Sequence, residues 1–327
     1  GEEFDISASI GIARAPQDGD RPQTLIQNAD AAMYDSKRRL RNNWQAYTAE
    51  LGQLREDRLR METQLRRAVE NEEFRLVYQP QVDLHHGRIV AAEALIRWRS
   101  QQGEMRPDHF IAHAENTGDI VRIGRWVLQQ ACSQVRSWQL NGQPQLRCSV
   151  NLSSRQLQQS DFAARVADIL RHSGLPPSSL VLEITESQLM ADSAQNLACL
   201  RELASLGIQL ALDDFGTGYS SLGYLKRFPL HIIEVDKSFI AGTPQDAESL
   251  AISRAIIGLG HSLGLAVVAE GVEKQTQLDF LGGEGCHYAQ GYWFSRPRAP
   301  HELQRLLSGE DCFDGLWCPL PAEGVQA

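Results

Sequence analysis

Eight short apolar runs in this chain end in polar residues, most of them a carboxylate or an amide. They are 74–77 (ending at Gln79), 89–92 (Glu93), 148–150 (Asn151), 180–182 (Glu183), 210–212 (Asp213 and Asp214), 232–235 (broken by Glu234 and ended by Asp236), 265–269 (Glu270) and 288–289 (Gln290). Amphipathic segments of helical length separate most of them. Strands alternating with helices predict a parallel sheet. Eight such units predict a closed α/β barrel, whose chemistry sits at the carboxyl ends of its strands. Folding would then gather these acids and amides around one mouth. A ring of that kind repels itself unless cations sit in it. The pattern points to a divalent-metal site built from oxygen donors.

The 327 residues allow one large barrel and a smaller piece. A net charge of -9 argues against a nucleic-acid polymer as partner, which usually meets a basic face. The six cysteines (Cys132, Cys148, Cys199, Cys286, Cys312 and Cys318) form no C-x-x-C pair, and the nine histidines show no zinc spacing. Cysteines so scattered read as reduced thiols in a cytoplasmic setting. No apolar run approaches the roughly 20 residues needed to cross a bilayer, so no direct membrane insertion is expected. The abrupt start leaves room for an upstream sensory or membrane segment.

Residues 1–48 differ from the rest of the chain. Residues 5–13 alternate like a strand and 16–22 form a turn-rich loop. Residues 24–40 carry Leu25, Ile26, Ala29, Ala32, Met33 and Leu40 at helical spacing. That is too little to close a core. "SASIGIA" and "NADAAMYDSKRRLRNNWQAY" resemble the C-terminal segment of GGDEF (diguanylate cyclase) domains. The opening "GEEF" is not the cyclase signature, which in that family lies well upstream of the "SIGIA" strand. The resemblance implies a remnant without cyclase activity.

Residues 48–71 read as a charged helix. Leu51, Leu54, Met61, Leu65, Ala68 and Val69 give it an apolar stripe that Arg58 interrupts. It reads equally as a linker, taken as 49–61, and as the first helix of a barrel over 62–307. Residues 300–307 form a last short helix, and 308–327 are a polar tail.

The most specific block is "LALDDFGTGYSSL" at 210–222. Adjacent Asp213 and Asp214 end an apolar strand, where the turning chain lets both reach the mouth. The small residues after them suit a mobile, close-approaching lid. Alone, the pair also reads as a helix cap. It stands beside "AAEALIRW" (91–98), "VNLS" (150–153), "LEITES" (182–187), "AEGVE" (269–273) and "QGYWFSRP" (290–297). With these blocks in order, residues from about 62 to 307 resemble the EAL domain. That family has a TIM-barrel-like (β/α)8 fold and hydrolyses cyclic di-GMP to linear pGpG. The resemblance implies a first barrel strand antiparallel to its neighbours, which alternation alone would not have found.

The resemblance also implies roles. Glu93, Asn151, Glu183 and Asp213 match the ligands of a first divalent cation. Asp213, Asp214 and Glu270 match those of a second, with Asp236 near it. Two cations, Mg2+ or Mn2+ with Ca2+ inhibitory, would polarise the phosphate and activate a water for in-line attack. Arg97 matches a phosphate contact, for which a guanidinium fork is suited. Gln79 matches a guanine contact, and Leu95, in the Glu93-Ala94-Leu95 motif, belongs to the substrate-binding set. Gln290 matches a residue near the attacking water. Glu186 matches the anchor of the "DFGTGYSS" loop, near which barrels of the family pair, so a homodimer is expected.

One position departs from the family. Its sixth strand reads Leu-Lys-Ile-Asp, and the lysine helps to orient the water and to neutralise the reacting phosphate. Here "IIEVDKSF" at 232–239 puts Glu234 in the lysine's place. Strand alternation places Glu234 and Asp236 on one face and Lys237 on the other. A unit charge about 4 Å away is worth roughly 4 kcal/mol at an effective dielectric near 20. A deficit of ~3 kcal/mol slows turnover on the order of a hundredfold. Glu234 also reads as an extra metal ligand, or as an acid turned aside to a salt bridge. Three functions stay open: a metal-dependent cyclic di-GMP phosphodiesterase, supported by the complete metal set; a non-catalytic cyclic di-GMP receptor, supported by Glu234; and a purely protein-binding regulator.

Overall fold

The computed structural model describes residues 7–39, 42–100, 103–190, 194–216 and 225–310, which divide into two units at Glu70 and Asn71. In the first unit, β1 (Ile10–Ile12) and β2 (Trp44–Ala46) pair in parallel on either side of the helix Pro22–Arg39. β2 is too short for its alternation to show in sequence. An unbroken helix, Ala49–Glu70, comes next, with Thr48 Oγ1 accepting from the Leu51 N–H at 3.3 Å. Arg58 has a structural use. Its guanidinium lies over the Tyr34 ring, 4.7 Å from the centroid, and pairs with Glu62 at 2.7 Å. The break in the apolar stripe is therefore a cation–π contact between the two helices.

The second unit is a closed barrel. Its strands are β3 (Phe74–Asp83), β4 (Arg88–Ser100), β6 (Arg147–Asn151), β7 (Leu180–Thr185), β8 (Gln209–Phe215), β9 (Ile232–Val235), β10 (Ala266–Ala269) and β11 (Tyr288–Ala289). β5 (Gly103–Met105) extends the far end of β4. Neighbours around the sheet run β3-β11-β10-β9-β8-β7-β6-β4, and the β3–β4 pairing closes the ring. β3 is antiparallel to both its neighbours, and every other pair around the ring is parallel. The antiparallel first strand is thus as the family resemblance implies. The expectation that runs end at Gln79 and Glu93 needs correction. Both strands continue well beyond those residues, which face each other within one hairpin ladder. A hairpin needs no crossover at that point, so nothing stops the strands there.

The helices outside the ring are set by spacing and caps. Helix Ile120–Leu140 buries Ile120, Ile123, Val127, Leu128, Ala131, Val135 and Trp138, one stripe at steps of three and four. Helix Ala247–Leu263 starts where Asp246 accepts from the Ser249 N–H at 2.7 Å and stops at Gly264 in the left-handed conformation. The expected last helix spans Pro300–Leu307. Cys132, Cys148, Cys199 and Cys286 are buried free thiols, while Cys312 and Cys318 lie outside the described residues. Among the described residues no helix is long and apolar enough to cross a membrane.

Inside the barrel, Val181, Ala211, Ile232 and Val268 pack into one apolar cluster. They come from four successive strands and form a plug. Side chains two residues further along a strand share its face. The next inward positions above the plug are therefore Glu183, Asp213, Glu234 and Glu270.

Close approach also fixes Gly291. A Cβ there would lie 2.1 Å from the Val272 carbonyl oxygen and 2.3 Å from its nitrogen. Backbone cannot yield as a side chain does. Gly291→Ala should therefore cost about 3 kcal/mol or more. Gly258, on an exposed helix face with nothing within 4 Å of a built Cβ, should gain roughly 0.5–1 kcal/mol as alanine. Urea unfolding of both variants checks this contrast, and equal midpoints would contradict it.

Candidate active site

The carboxylate layer above the plug opens into a cavity of about 900 Å³, lined among others by Gln79, Glu93, Leu95, Asn151, Asp213, Asp214, Lys237, Glu270 and Gln290. Glu183 and Glu234 lie beneath, 2% and 1% exposed. A chain of amides holds the upper edge. Asn151 Nδ2 donates to Glu93 Oε1 at 2.8 Å, and Gln290 Nε2 donates to Glu93 Oε2 at 2.5 Å. Gln290 Nε2 also reaches Gln79 Oε1 at 3.4 Å, and Gln79 Nε2 donates to the Ser295 carbonyl at 3.0 Å. The long hairpin that the strand-end pattern concealed is thus what carries Gln79 to Glu93.

Both members of the acid pair face the cavity because β8 carries a bulge. Between Leu212 and Phe215 it has one residue more than β9 between Ile233 and Val235. Asp214 takes up the excess at φ 55°, a left-handed conformation that costs an ordinary residue about 1–2 kcal/mol and an aspartate less. The Asp214 N–H donates to Asp213 Oδ1 at 2.7 Å, which locks the turn.

Other expected residues are placed differently. Glu186 opens the helix Glu186–Met190, and its Oε2 accepts from the Gly216 N–H at 3.1 Å. It thus holds the entry to the "DFGTGYSS" loop, of which 217–221 lie outside the described residues. Asp236 caps the helix Lys237–Ala241, accepting from the Ser238 N–H at 2.9 Å and the Ser238 hydroxyl at 2.5 Å. Arg97 is half-buried, donates to the Ile96 carbonyl at 2.8 Å, and its charge acts on the Glu93 carboxyl.

Lys237 is the residue that the sequence reading misplaced. Alternation puts it on the opposite face, but β9 ends at Val235 and Lys237 begins a helix, so period two no longer applies. It lines the cavity rim, exposed, and its charge offsets part of the rise in the Asp214 carboxyl. A Cβ on Gly271, at φ 70°, would sit 2.5 Å from the Lys237 Cβ, so the residue after Glu270 must be glycine for this rim to close.

Electrostatics sets the character of the layer. Burial first, and then mutual repulsion, pushes the carboxyls of Glu183, Glu234 and Glu270 well above the usual range. Burial and Asp214 raise Asp213 to about 7. Burial also raises Glu93, against the opposing hydrogen bonds from Gln290 and Asn151. Ligand oxygens of Asp213, Glu234 and Glu270 lie within 4.8 Å of one another. At that distance two carboxylates repel by roughly 3.5 kcal/mol at an effective dielectric near 20. The salt-bridge possibility for Glu234 finds no support: neither of its buried oxygens has a hydrogen-bond partner, and its strongest charged neighbours are acids. An acidic cluster of hard oxygen donors with unpartnered lone pairs fits divalent cations such as Mg2+, Mn2+ or Ca2+.

This repulsion has a pH signature. A carboxyl raised in the folded state contributes its stability below the unfolded value and loses it as pH climbs through the folded value. For Asp213 that window runs from about 4 to about 7. In EDTA, Asp213→Asn should raise the melting temperature at pH 8 and change it far less at pH 4.5. Scanning calorimetry at both pH values decides, and an equal shift at each would show that this carboxyl is not strained.

Comparisons with known proteins agree with this geometry. Residues 62–297 match the profile of the EAL domain, and residues 1–43 match that of the diguanylate cyclase GGDEF domain. The chain is 42% identical over 92% of its length to the signaling protein YkoW of Bacillus subtilis, of which it spans 38%. It is 41% identical over 92% of its length to the bifunctional diguanylate cyclase/cyclic di-GMP phosphodiesterase MucR of Pseudomonas aeruginosa, of which it spans 44%. The chain thus covers less than half of each of these relatives. Among solved structures, the PaMucR phosphodiesterase in complex with c-di-GMP superposes with a TM-score of 0.72 at 41% identity, covering 75% of this chain and 99% of that one. A barrel with an antiparallel first strand, an acidic mouth and a family match over most of its length place this chain in the EAL domain family, with a GGDEF-domain fragment before it.

Proposed function

We propose that the barrel is a metal-dependent phosphodiesterase that hydrolyses cyclic di-GMP to linear pGpG, with its rate held down by Glu234. The convergence of Glu93, Asn151, Asp213, Asp214, Glu270 and Gln290 on one cavity of about 900 Å³ carries this reading. A cavity of that size takes a dinucleotide. In this reading Glu93, Asn151, Glu183 and Asp213 hold one divalent cation, and Asp213, Asp214 and Glu270 hold a second. When bound, Mg2+ or Mn2+ would neutralise the phosphate oxygens and lower the pKa of an attacking water.

The chain's own residues do the rest. Asn151 offers a carbonyl oxygen without adding charge, while its amide fixes Glu93. Gln290, held by Glu93, orients the water. Gln79 and Leu95 contact the nucleotide, and Arg97 swings from the Ile96 carbonyl to a phosphate. Glu186 ties the loop after Asp214 to the site, and two copies pair near that loop.

One observation favours a second reading, a cyclic di-GMP receptor without turnover. A buried acid occupies the position where the reacting phosphate needs a cation. Nucleotide binding in Ca2+, and then turnover in Mg2+ or Mn2+, separates the two. Hydrolysis to pGpG supports the enzyme, and binding without hydrolysis supports the receptor. Loss of both would overturn the reading of the cavity. Glu183→Ala and Asp213→Ala should each abolish turnover and the binding of the divalent cation that the two share with Glu93 and Asn151; full retention by either would remove it from the ligand set.

Glu234→Lys should raise single-turnover hydrolysis at saturating metal by about ten- to a thousandfold, equivalent to roughly 1.4–4 kcal/mol of transition-state stabilisation. Affinity for cyclic di-GMP should change less, because most contacts lie elsewhere. Equal rates in the two forms would show that charge at this position does not limit the chemistry.

A further inference from the structure

Glu234 is where this chain differs from what its family resemblance implies. It sits on β9 two residues beyond Ile232, whose side chain belongs to the apolar plug, so Glu234 points into the barrel. It is 1% exposed, and neither carboxylate oxygen has a hydrogen-bond partner. A ligand oxygen of Glu234 lies within 4.8 Å of ligand oxygens of both Asp213 and Glu270. Oxygens bound to one Mn2+ or Ca2+ ion stand roughly 3–5 Å apart, since each lies about 2.1–2.6 Å from the ion. The charged groups that act most strongly on it, Glu183, Glu270, Asp213 and Glu93, are all acids. Lys237, the cation on the adjoining helix, is exposed at the rim.

We propose that Glu234 is itself a metal ligand, holding one hard divalent cation together with Asp213 and Glu270 on the floor of the cavity. The inference deepens the proposed function and rests on its reading of the cavity as a metal site. Where the family pattern has a lysine, this chain has a donor oxygen. The substitution makes the floor two charge units more negative, and the ion supplies the positive charge that the lysine would have carried. Binding to three carboxylates does not wait for a phosphate to complete the site. The chain therefore retains this cation without nucleotide, whereas a lysine at 234 would repel it.

The test is Mn2+ binding to the full chain without nucleotide, read by equilibrium dialysis with electron paramagnetic resonance of free Mn2+. Wild type, Glu234→Gln, Glu234→Lys and Asp213→Asn are compared. Glu234→Gln keeps the shape and removes the charge, and should weaken the tightest site at least tenfold. Glu234→Lys should abolish it, and both should lose most of the rise in melting temperature that Mn2+ gives wild type. Affinity within twofold of wild type in Glu234→Gln would overturn the proposal. If wild type binds Mn2+, Asp213→Asn loses it and Glu234→Gln does not, this inference alone fails. If wild type binds no Mn2+, the proposed function fails with it. Should Glu234→Gln not melt cooperatively, Glu234→His decides: a ligating imidazole should shift preference from Mn2+ toward Zn2+, and an unchanged preference would overturn the assignment.

Discussion

Carboxylates packed close together on an apolar plug are the constraint on which the rest of this barrel depends. Val181, Ala211, Ile232 and Val268 fill the interior, and the next inward residue on each strand is an acid. Burial raises the pKa of every one of them, and neighbouring charge raises it further. Removing the acids would relieve the strain but leave no chemistry. Protonating some of them, or binding cations, are the two ways to keep the fold and the layer together. Local strain kept at a site and compensated elsewhere in a fold is a common mark of function.

The upper edge shows how the fold limits this repulsion without cancelling it. Amides, not more acids, join the strands there: Asn151 and Gln290 both donate to Glu93, and Gln79 links Gln290 to the loop carbonyl of Ser295. Each amide satisfies a lone pair without adding charge. The bulge in β8 then turns Asp214 outward by one position, so it meets the cavity half-buried and not on the floor. Lys237 lines the cavity from the start of a helix, and its charge moderates Asp214. Amides and Lys237 therefore stand at the upper edge and rim, while carboxyl oxygens without partners lie below them.

The N-terminal unit obeys different rules. A β-α-β piece with β1 and β2 in parallel has no sheet wide enough to bury both its faces, and Ile10 and Trp44 are 55% and 61% exposed. It has neither a phosphate-binding loop nor an acid cluster among its described residues, so the acidic chemistry belongs to the barrel.

The barrel class and most of the acids that the cavity gathers were legible in the sequence. Short apolar runs that stop at a carboxylate or an amide need only local information, and Asn151, Glu183, Asp213 and Glu270 stand at or near strand ends for that reason. The inward direction of Glu234 was also legible, because alternation within a strand is local. Three features came from tertiary structure alone. The hairpin of β3 and β4 runs past Gln79 and Glu93 because its ladder depends on a partner strand, not on its own composition. Arg58 looked like a flaw in an apolar stripe until Tyr34, on another helix, supplied the ring beneath it. Lys237 changed face because β9 ends one residue before Asp236 caps a helix, and a strand's end is set by what its neighbours can still pair with. Sequence fixes which face a side chain takes within an element. Where the element stops, and what lies across from it, is settled by packing and hydrogen bonding between residues far apart in the chain.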